Sequence, residues 1–279
     1  MKSPVFLQEN PRLTQDQVAA YRRDGYLLPS QAVFPQEKFC ALQNCFEDLF
    51  VRWQAEGHGK SPEHMDVPHF AYPELMRWLL DDAVLDLVEP ILGPDLCLFS
   101  SHFICKTAGD GKRVPWHEDS AYWKGRMDPM EVVTVWLAID PSTLANGCMH
   151  VIPGSHRQGA AGYSAYRDLD ASDRAVFRNE IIDGQFDPAQ AVPCELAPGQ
   201  ASLHNGRLIH GSAPNTSPQR RCGYTMRYTS TAVKHLPQPD GFAVYLARGR
   251  DRAGNMYGDP SQVNRAWMEG HPGLWPKGH

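Results

Sequence analysis

The chain of 279 residues has little that ties a protein to a membrane, a nucleic acid or an oxidising compartment. No window approaches the roughly 18 apolar residues that a membrane span requires, and the opening MKSPVFLQENPRLTQDQ lacks the unbroken apolar stretch of a secretory signal, so a cytoplasmic location is expected. Positive charge is not in excess. With Lys+Arg 27 against Asp+Glu 32, the net charge is −5, and a phosphate-binding stripe would have to be built against that field, so nucleic acid is not expected as a partner. Seven cysteines are odd in number, scattered, and never paired as C-x-x-C, which argues against a disulfide framework and against a thiolate zinc site. Internal repeats and low-complexity tracts are missing too. What is present, 42% apolar and 10% aromatic residues with only 21% charged, describes a globular chain able to bury a large core. Its length favours one domain, expected as a monomer or homodimer acting on a small molecule.

Two patterns divide the chain. Up to residue 93 the period is helical. Thr14 to Gln17 fits a capping box opening a segment through Asp24-Gly25 that runs into the apolar Tyr26-Leu27-Leu28, and Phe39, Leu42, Phe46, Leu49 and Trp53 recur at three- and four-residue spacing from near Pro35 until Gly57. A loop is expected over 57–72, with His58, His64 and His69, then helices over 73–80 and 82–92. From residue 95 short apolar runs alternate with Gly, Pro, Asn and Asp clusters, giving candidate strands at 96–106, 113–118, 131–139, 147–152, 194–197, 201–204, 207–211 and 221–231. Such strands without helices between them predict an antiparallel sandwich or jelly roll. Asn146-Gly147 reads as a hairpin turn, and 158–193 as a polar, partly helical insertion between two strands.

The most informative segment is Trp116-His117-Glu118-Asp119. In an extended chain His117 and Asp119 project to one face while Glu118 points away. A third ligand would complete a two-His, one-carboxylate triad, which binds non-haem Fe(II) and leaves coordination positions open. Alone, H-x-D is a weak signal. The segment Leu208-Ile209-His210-Gly211-Ser212-Ala213-Pro214-Asn215, followed by Arg220-Arg221, strengthens it by allowing a histidine and an arginine to share a cavity.

Together with Asn146-Gly147-Cys148-Met149-His150-Val151-Ile152-Pro153-Gly154-Ser155-His156, these motifs resemble the phytanoyl-CoA hydroxylase-like family of Fe(II)- and 2-oxoglutarate-dependent dioxygenases over most of residues 15–230. The resemblance implies a mainly β protein with flanking helices around a double-stranded β-helix, the cupin-like jelly roll. It implies that His117, Asp119 and His210 ligate iron, and that Arg221, eleven positions beyond His210, binds the far carboxylate of 2-oxoglutarate, with Arg220 as the alternative. The implied reaction uses Fe(II), 2-oxoglutarate and O₂ to hydroxylate an unactivated C–H bond, releasing succinate and CO₂. Retention of Asp119 disfavours halogenation, since related halogenases replace that carboxylate by a small residue.

Other positions have two readings. Trp136 and Thr134 line the cosubstrate site or simply fill the core of an apolar strand; His102 contacts cosubstrate or is a hydrogen-bonded core histidine. Tyr122, Trp123, Lys124 and Arg126 overhang the iron and touch substrate, or pack a lid. Ser155 and His156 read as a structural corner. His204 shares the parity of His210, but a turn at Asn205-Gly206 is expected to reset the phase. Two rival functions remain: a jelly-roll metal-binding or sensing module without turnover, and a cupin-like non-redox metalloenzyme. Desaturation, epimerisation and ring formation are further outcomes of the same oxidative chemistry.

Overall fold

The computed structural model describes residues 12–55, 65–109, 111–157, 164–170 and 172–271. Gly57, His58 and His64, and the start of the expected insertion, lie outside the described residues.

The first helix, Gln15–Asp24, begins with the expected capping box: the Thr14 side chain accepts from the Gln17 backbone and the Gln17 side chain accepts from the Thr14 backbone. It ends on Gly25, whose φ of 81° is left-handed and costs little only for glycine. The second, Gln36–Ala55, buries Phe39, Leu42, Phe46, Leu49, Phe50 and Trp53, the stripe that the 3.6-residue period predicts. That stripe lies on a large sheet, where the Phe46 ring sits 5.0 Å from Phe103 and Phe103 stacks on Tyr224 at 4.0 Å. The expected helix over 73–80 is instead a 3₁₀ turn, Pro73–Leu75, followed by a single α turn, Met76–Leu79. Asp82–Leu92 follows, with the Asp81 side chain accepting from the Ala83 amide.

The rest is built on two main antiparallel sheets, with two two-stranded ladders, Met127–Asp128 with Lys234–His235 and Tyr166–Asp168 with Asn179–Ile181, beside them. The large one has seven strands. Its main path runs Tyr26–Leu27, Ala201–Asn205, Val133–Ala138, Arg221–Ser230, Leu96–Lys106 and Tyr245–Arg248, with Met65–Asp66 also paired to Leu96–Lys106. The small one has four, in the order Val192–Cys194, Met149–Val151, His210–Ser212 and Val114–His117. This is the expected jelly roll, with helices on the outer face of the large sheet. Tyr245–Arg248, beyond the strands read from sequence, is tied to helix Asp82–Leu92 by Arg248, which donates to Asp82, Asp86 and Glu89.

Two expectations are corrected. Asn146-Gly147 does not join a hairpin, because the strands on either side, Val133–Ala138 and Met149–Val151, belong to different sheets. The Thr143 amide donates to the Asn146 side chain and Asn146 donates to the Pro141 carbonyl, winding a 3₁₀ turn that carries the chain across the roll. The described part of the 158–193 insertion is a β-hairpin, Tyr166–Asp168 against Asn179–Ile181, with one 3₁₀ turn at Pro188–Gln190, and not α-helical.

Because Leu42 is fully buried in the helix-to-sheet layer, Leu42→Ala should cost about 2–5 kcal/mol, whereas Thr14→Ala, which loses one cap bond at an exposed helix start, should cost about 1 kcal/mol. Urea unfolding of the two variants checks this; equal losses would mean that the helix layer is not packed as described.

Candidate active site

Strand Arg221–Ser230 organises the site through its alternation. Cys222, Tyr224, Met226 and Tyr228 belong to the core beneath the helices, so Arg221, Gly223, Thr225 and Arg227 face the interior of the roll. There a cavity of about 290 Å³ opens between the sheets, lined by Arg221, Thr225 and Arg227 from one side and by His117, Asp119 and His210 from the other.

His117 ends strand Val114–His117 and pairs directly with His210, which opens strand His210–Ser212. Their rings lie 4.1 Å apart. Each Nδ1 donates to the carbonyl two residues earlier, His117 to Pro115 and His210 to Leu208, both at 2.8 Å. A carbonyl only accepts, so the proton is on Nδ1 and each Nε2 presents a lone pair, the tautomer that a metal ligand needs. Both Nε2 atoms face Asp119 Oδ1, at 3.4 Å from His117 and 3.8 Å from His210. One ligand atom from each of the three residues lies within 4.8 Å of the others, and all three residues are buried. Glu118 turns away, accepting from the Ser164 amide and hydroxyl.

The electrostatics suit a cation. Burial alone would raise the pKa of Asp119, but the Arg227 charge, with the neighbouring histidines, holds it well below the ordinary carboxylate value. Burial, with the neighbouring His117, pushes His210 well below the ordinary imidazole range, so it is neutral and free to ligate.

Arg221 is only 2% exposed. Its Nη2 donates to the Gly147 carbonyl at 2.9 Å, while Nε and Nη1 are buried without a hydrogen-bond partner. Burial lowers its pKa from the ordinary value, and among the described residues no carboxylate pairs with it. Trp136 forms the floor beside it, 5.2 Å from the guanidinium; a Cβ on Gly223 would lie 2.1 Å from Trp136 Cζ2, so the indole occupies the space that glycine leaves. Arg220 points to the helix layer, where it binds Asp140 and Glu47 over the Phe46 and Phe50 rings.

The other expected positions divide. Trp136, His102, Tyr122 and Trp123 line the cavity, with His102 3.5 Å from Asp66. Thr134 is fully buried in register with His204 and Arg227, its hydroxyl without a partner, and does not line the cavity. Arg126 is not brought in: it donates to Asp240 at 2.9 Å and lies over Phe242, because the 3₁₀ turn Asp119–Trp123 rotates the following residues away. Ser155 is a corner residue whose hydroxyl accepts from the Ile209 amide. The turn at Asn205-Gly206 moves the chain to the other sheet, yet His204 still faces inward, its Nε2 3.9 Å from Asp119 Oδ2. Arg227 and Lys106 escaped the sequence reading; Lys106 pairs in register with Arg221 and donates to Ser212 Oγ at 2.6 Å. Strand parity with Arg221 turns Arg227 inward, but nothing local places it against Asp119.

The insertion closes the cavity. Val176 and Phe177 line it, with the Phe177 ring 5.1 Å from His117 and 5.4 Å from Tyr122. Its hairpin is tied down by buried Glu180, which accepts from Arg113 and Arg167. Burial alone would raise the Glu180 pKa, but those hydrogen bonds hold it below the ordinary 4.5. A depressed carboxyl contributes stability above its unfolded pKa and loses it as pH falls through the folded value, so this attachment should weaken in acid. At neutral pH, Glu180→Gln should speed tryptic cleavage at Arg174 and Arg178 while moving the melting temperature by less than about 3 °C. Unchanged cleavage would show that the pair does not hold the insertion.

Comparison with known proteins agrees with this geometry. The family model for phytanoyl-CoA dioxygenase (PhyH) matches residues 21–223. A phytanoyl-CoA dioxygenase domain-containing protein 1 homolog of Dictyostelium discoideum is 28% identical over 160 residues, covering 57% of this chain and 56% of that protein; the chain thus matches a little over half the length of that relative. Among solved structures, the non-heme monooxygenase ThoJ superposes with a TM-score of 0.72 at 26% identity, covering 93% of this chain and 94% of the other. EvdO2 from Micromonospora carbonacea var. aurantiaca, complexed with 2-oxoglutarate, superposes at 0.63 with 25% identity, covering 84% and 97%. The chain, whose cavity assembles a His117, Asp119 and His210 donor set able to hold a metal ion, belongs to the phytanoyl-CoA dioxygenase family.

Proposed function

We propose that the protein is an Fe(II)- and 2-oxoglutarate-dependent oxygenase that hydroxylates an unactivated C–H bond of a small or medium-sized metabolite. The observation that carries this reading is Arg221: a buried guanidinium with two unpartnered nitrogens, in the same cavity as a two-His, one-carboxylate cluster. A structural or sensing metal site needs no such anion anchor, and a buried unpaired cation is costly to keep unless a ligand completes it.

In this reading His117, Asp119 and His210 hold Fe(II), and their three donors leave positions for cosubstrate. When bound, the iron and 2-oxoglutarate supply the oxidising chemistry, using O₂ and releasing succinate and CO₂ as substrate is hydroxylated. Arg221 takes the far carboxylate with its planar fork, beside the Trp136 ring. No side chain has to act as general base. Tyr122, Trp123 and Phe177 form aromatic walls that aim the substrate and exclude water, and Asp119 keeps the position that halogenases open for chloride.

Purified protein should convert 2-oxoglutarate to succinate only with Fe(II) and O₂, slowly even without the true substrate, and His117→Ala, Asp119→Ala or His210→Ala should each abolish this. A tightly held zinc with no succinate under any substrate screen would sink the reading.

Arg221→Ala should raise the 2-oxoglutarate requirement at least about tenfold while Fe(II) binding stays near normal, since truncating one partner of a buried charge pair costs roughly 2–5 kcal/mol. Lysine at this position should recover part of the affinity, and Arg220→Ala should leave the requirement unchanged. Titrating 2-oxoglutarate into the variants decides it: an effect at 220 alone would place the anchor on the wrong face of the strand.

A further inference from the structure

The two oxygens of Asp119 stand in different surroundings. Oδ1 faces His117 and His210, at 3.4 and 3.8 Å. Oδ2 faces the opposite way, 3.6 Å from Arg227 Nε and 3.9 Å from His204 Nε2. Neither neighbour has been used by the function proposed above. Both come from the large sheet, where Thr134 separates them in a row of register partners, His204 on one side and Arg227 on the other.

Arg227 is fixed where it stands. It is 7% exposed, its guanidinium lies 5.2 Å from the Trp123 ring, and Nη1 donates to Ser100 Oγ at 3.4 Å. Its Nε is buried without a hydrogen-bond partner, and so is Nδ1 of His204. Arg227 Nε therefore has its N–H available for Asp119 Oδ2, only a few tenths of an ångström beyond hydrogen-bond length.

We infer that Arg227, assisted by His204, is a positioning residue that occupies Oδ2 and so restricts Asp119 to one-oxygen coordination of the metal. The inference rests on the metal site proposed above. The chemical reason is a count of positions: two histidines and one carboxylate oxygen leave three sites on a six-coordinate ion, two for the keto acid and one for O₂. A carboxylate binding through both oxygens would close one of them. A hydrogen bond to the outer oxygen prevents that swing, and the same contact orients the inner oxygen toward the two imidazoles.

This role has a signature that simple support of the fold lacks. Mn(II) binding and 2-oxoglutarate binding to the Mn(II)-loaded protein, both measured without O₂ or turnover, should separate. Arg227→Leu should bind Mn(II) as tightly as the native protein or more so, because a second carboxylate oxygen becomes available and a nearby positive charge is gone. It should bind 2-oxoglutarate at least about tenfold more weakly. Arg227→Gln, which keeps an N–H donor without the charge, should recover most of the 2-oxoglutarate affinity; Arg227→Met, with similar length and no donor, should behave as leucine does and serves if the leucine variant does not fold. Unchanged 2-oxoglutarate affinity in the donor-free variants would overturn the inference. So would loss of Mn(II) binding together with 2-oxoglutarate, which would mean that Arg227 merely keeps Asp119 in place. Failure of the native protein to bind Mn(II) would instead remove the metal site itself.

Discussion

The site depends on one constraint: the side-chain alternation of strand Arg221–Ser230 at the centre of the large sheet. Its two neighbours, Val133–Ala138 and Leu96–Lys106, hold it in fixed register on both sides. Cys222, Tyr224, Met226 and Tyr228 are committed to the helix-covered core, where Tyr228 donates to the Leu79 carbonyl and Tyr224 to Ser101. A slip of one residue would bury two arginines under the helices and push two tyrosines into the cavity. The apolar face therefore fixes the polar one, and the energy that locates Arg221 and Arg227 comes from packing on the far side of the sheet.

The small sheet does the complementary task. His117 and His210 come from separate strands and are direct partners across their pairing, the register shifting only towards Ser212, so the distance between two imidazoles is set by a backbone ladder and not by flexible loops. Asp119 follows immediately, where the chain leaves the strand and enters a 3₁₀ turn. The cavity is thus the gap between the two sheets, and its covering includes the insertion with Val176 and Phe177.

Legibility in the sequence followed contact range. The bounds of strand Leu96–Lys106 and most of the buried stripe of Gln36–Ala55, Phe50 excepted, are legible in the local sequence. His117 and Asp119 are two positions apart, so one extended segment brings them together. His204 and Arg227 reach Asp119 from other strands, and only sheet register, which no local pattern encodes, puts them there. The opposite error arose at Arg126: nearness in sequence to Asp119 suggested the site, but a turn separated them and Asp240 captured the guanidinium. Asn146-Gly147 misled for a related reason, because the capped turn at Thr143–Asn146 sends the chain to the other sheet. The two adjacent arginines could not be separated by composition or charge; the large sheet separates them by facing Arg221 inward and giving Arg220 two carboxylates outside.

The cavity is also a store of unsatisfied polarity. Arg221 Nε and Nη1, Arg227 Nε and His204 Nδ1 are buried without hydrogen-bond partners. Each such group costs about 1–3 kcal/mol in a folded chain, so a protein that keeps several together holds them against its own stability. Against that load stands the apolar core beneath the helices, which includes residues from Tyr21 to Trp267. A ligand that satisfies these groups binds the folded state alone, so it adds its binding free energy to folding. Cosubstrate binding and stability are then one linked equilibrium. In the proposed reading Arg221, whose burial weakens the fold by itself, is the group that would favour a doubly charged acid over a neutral molecule of the same shape.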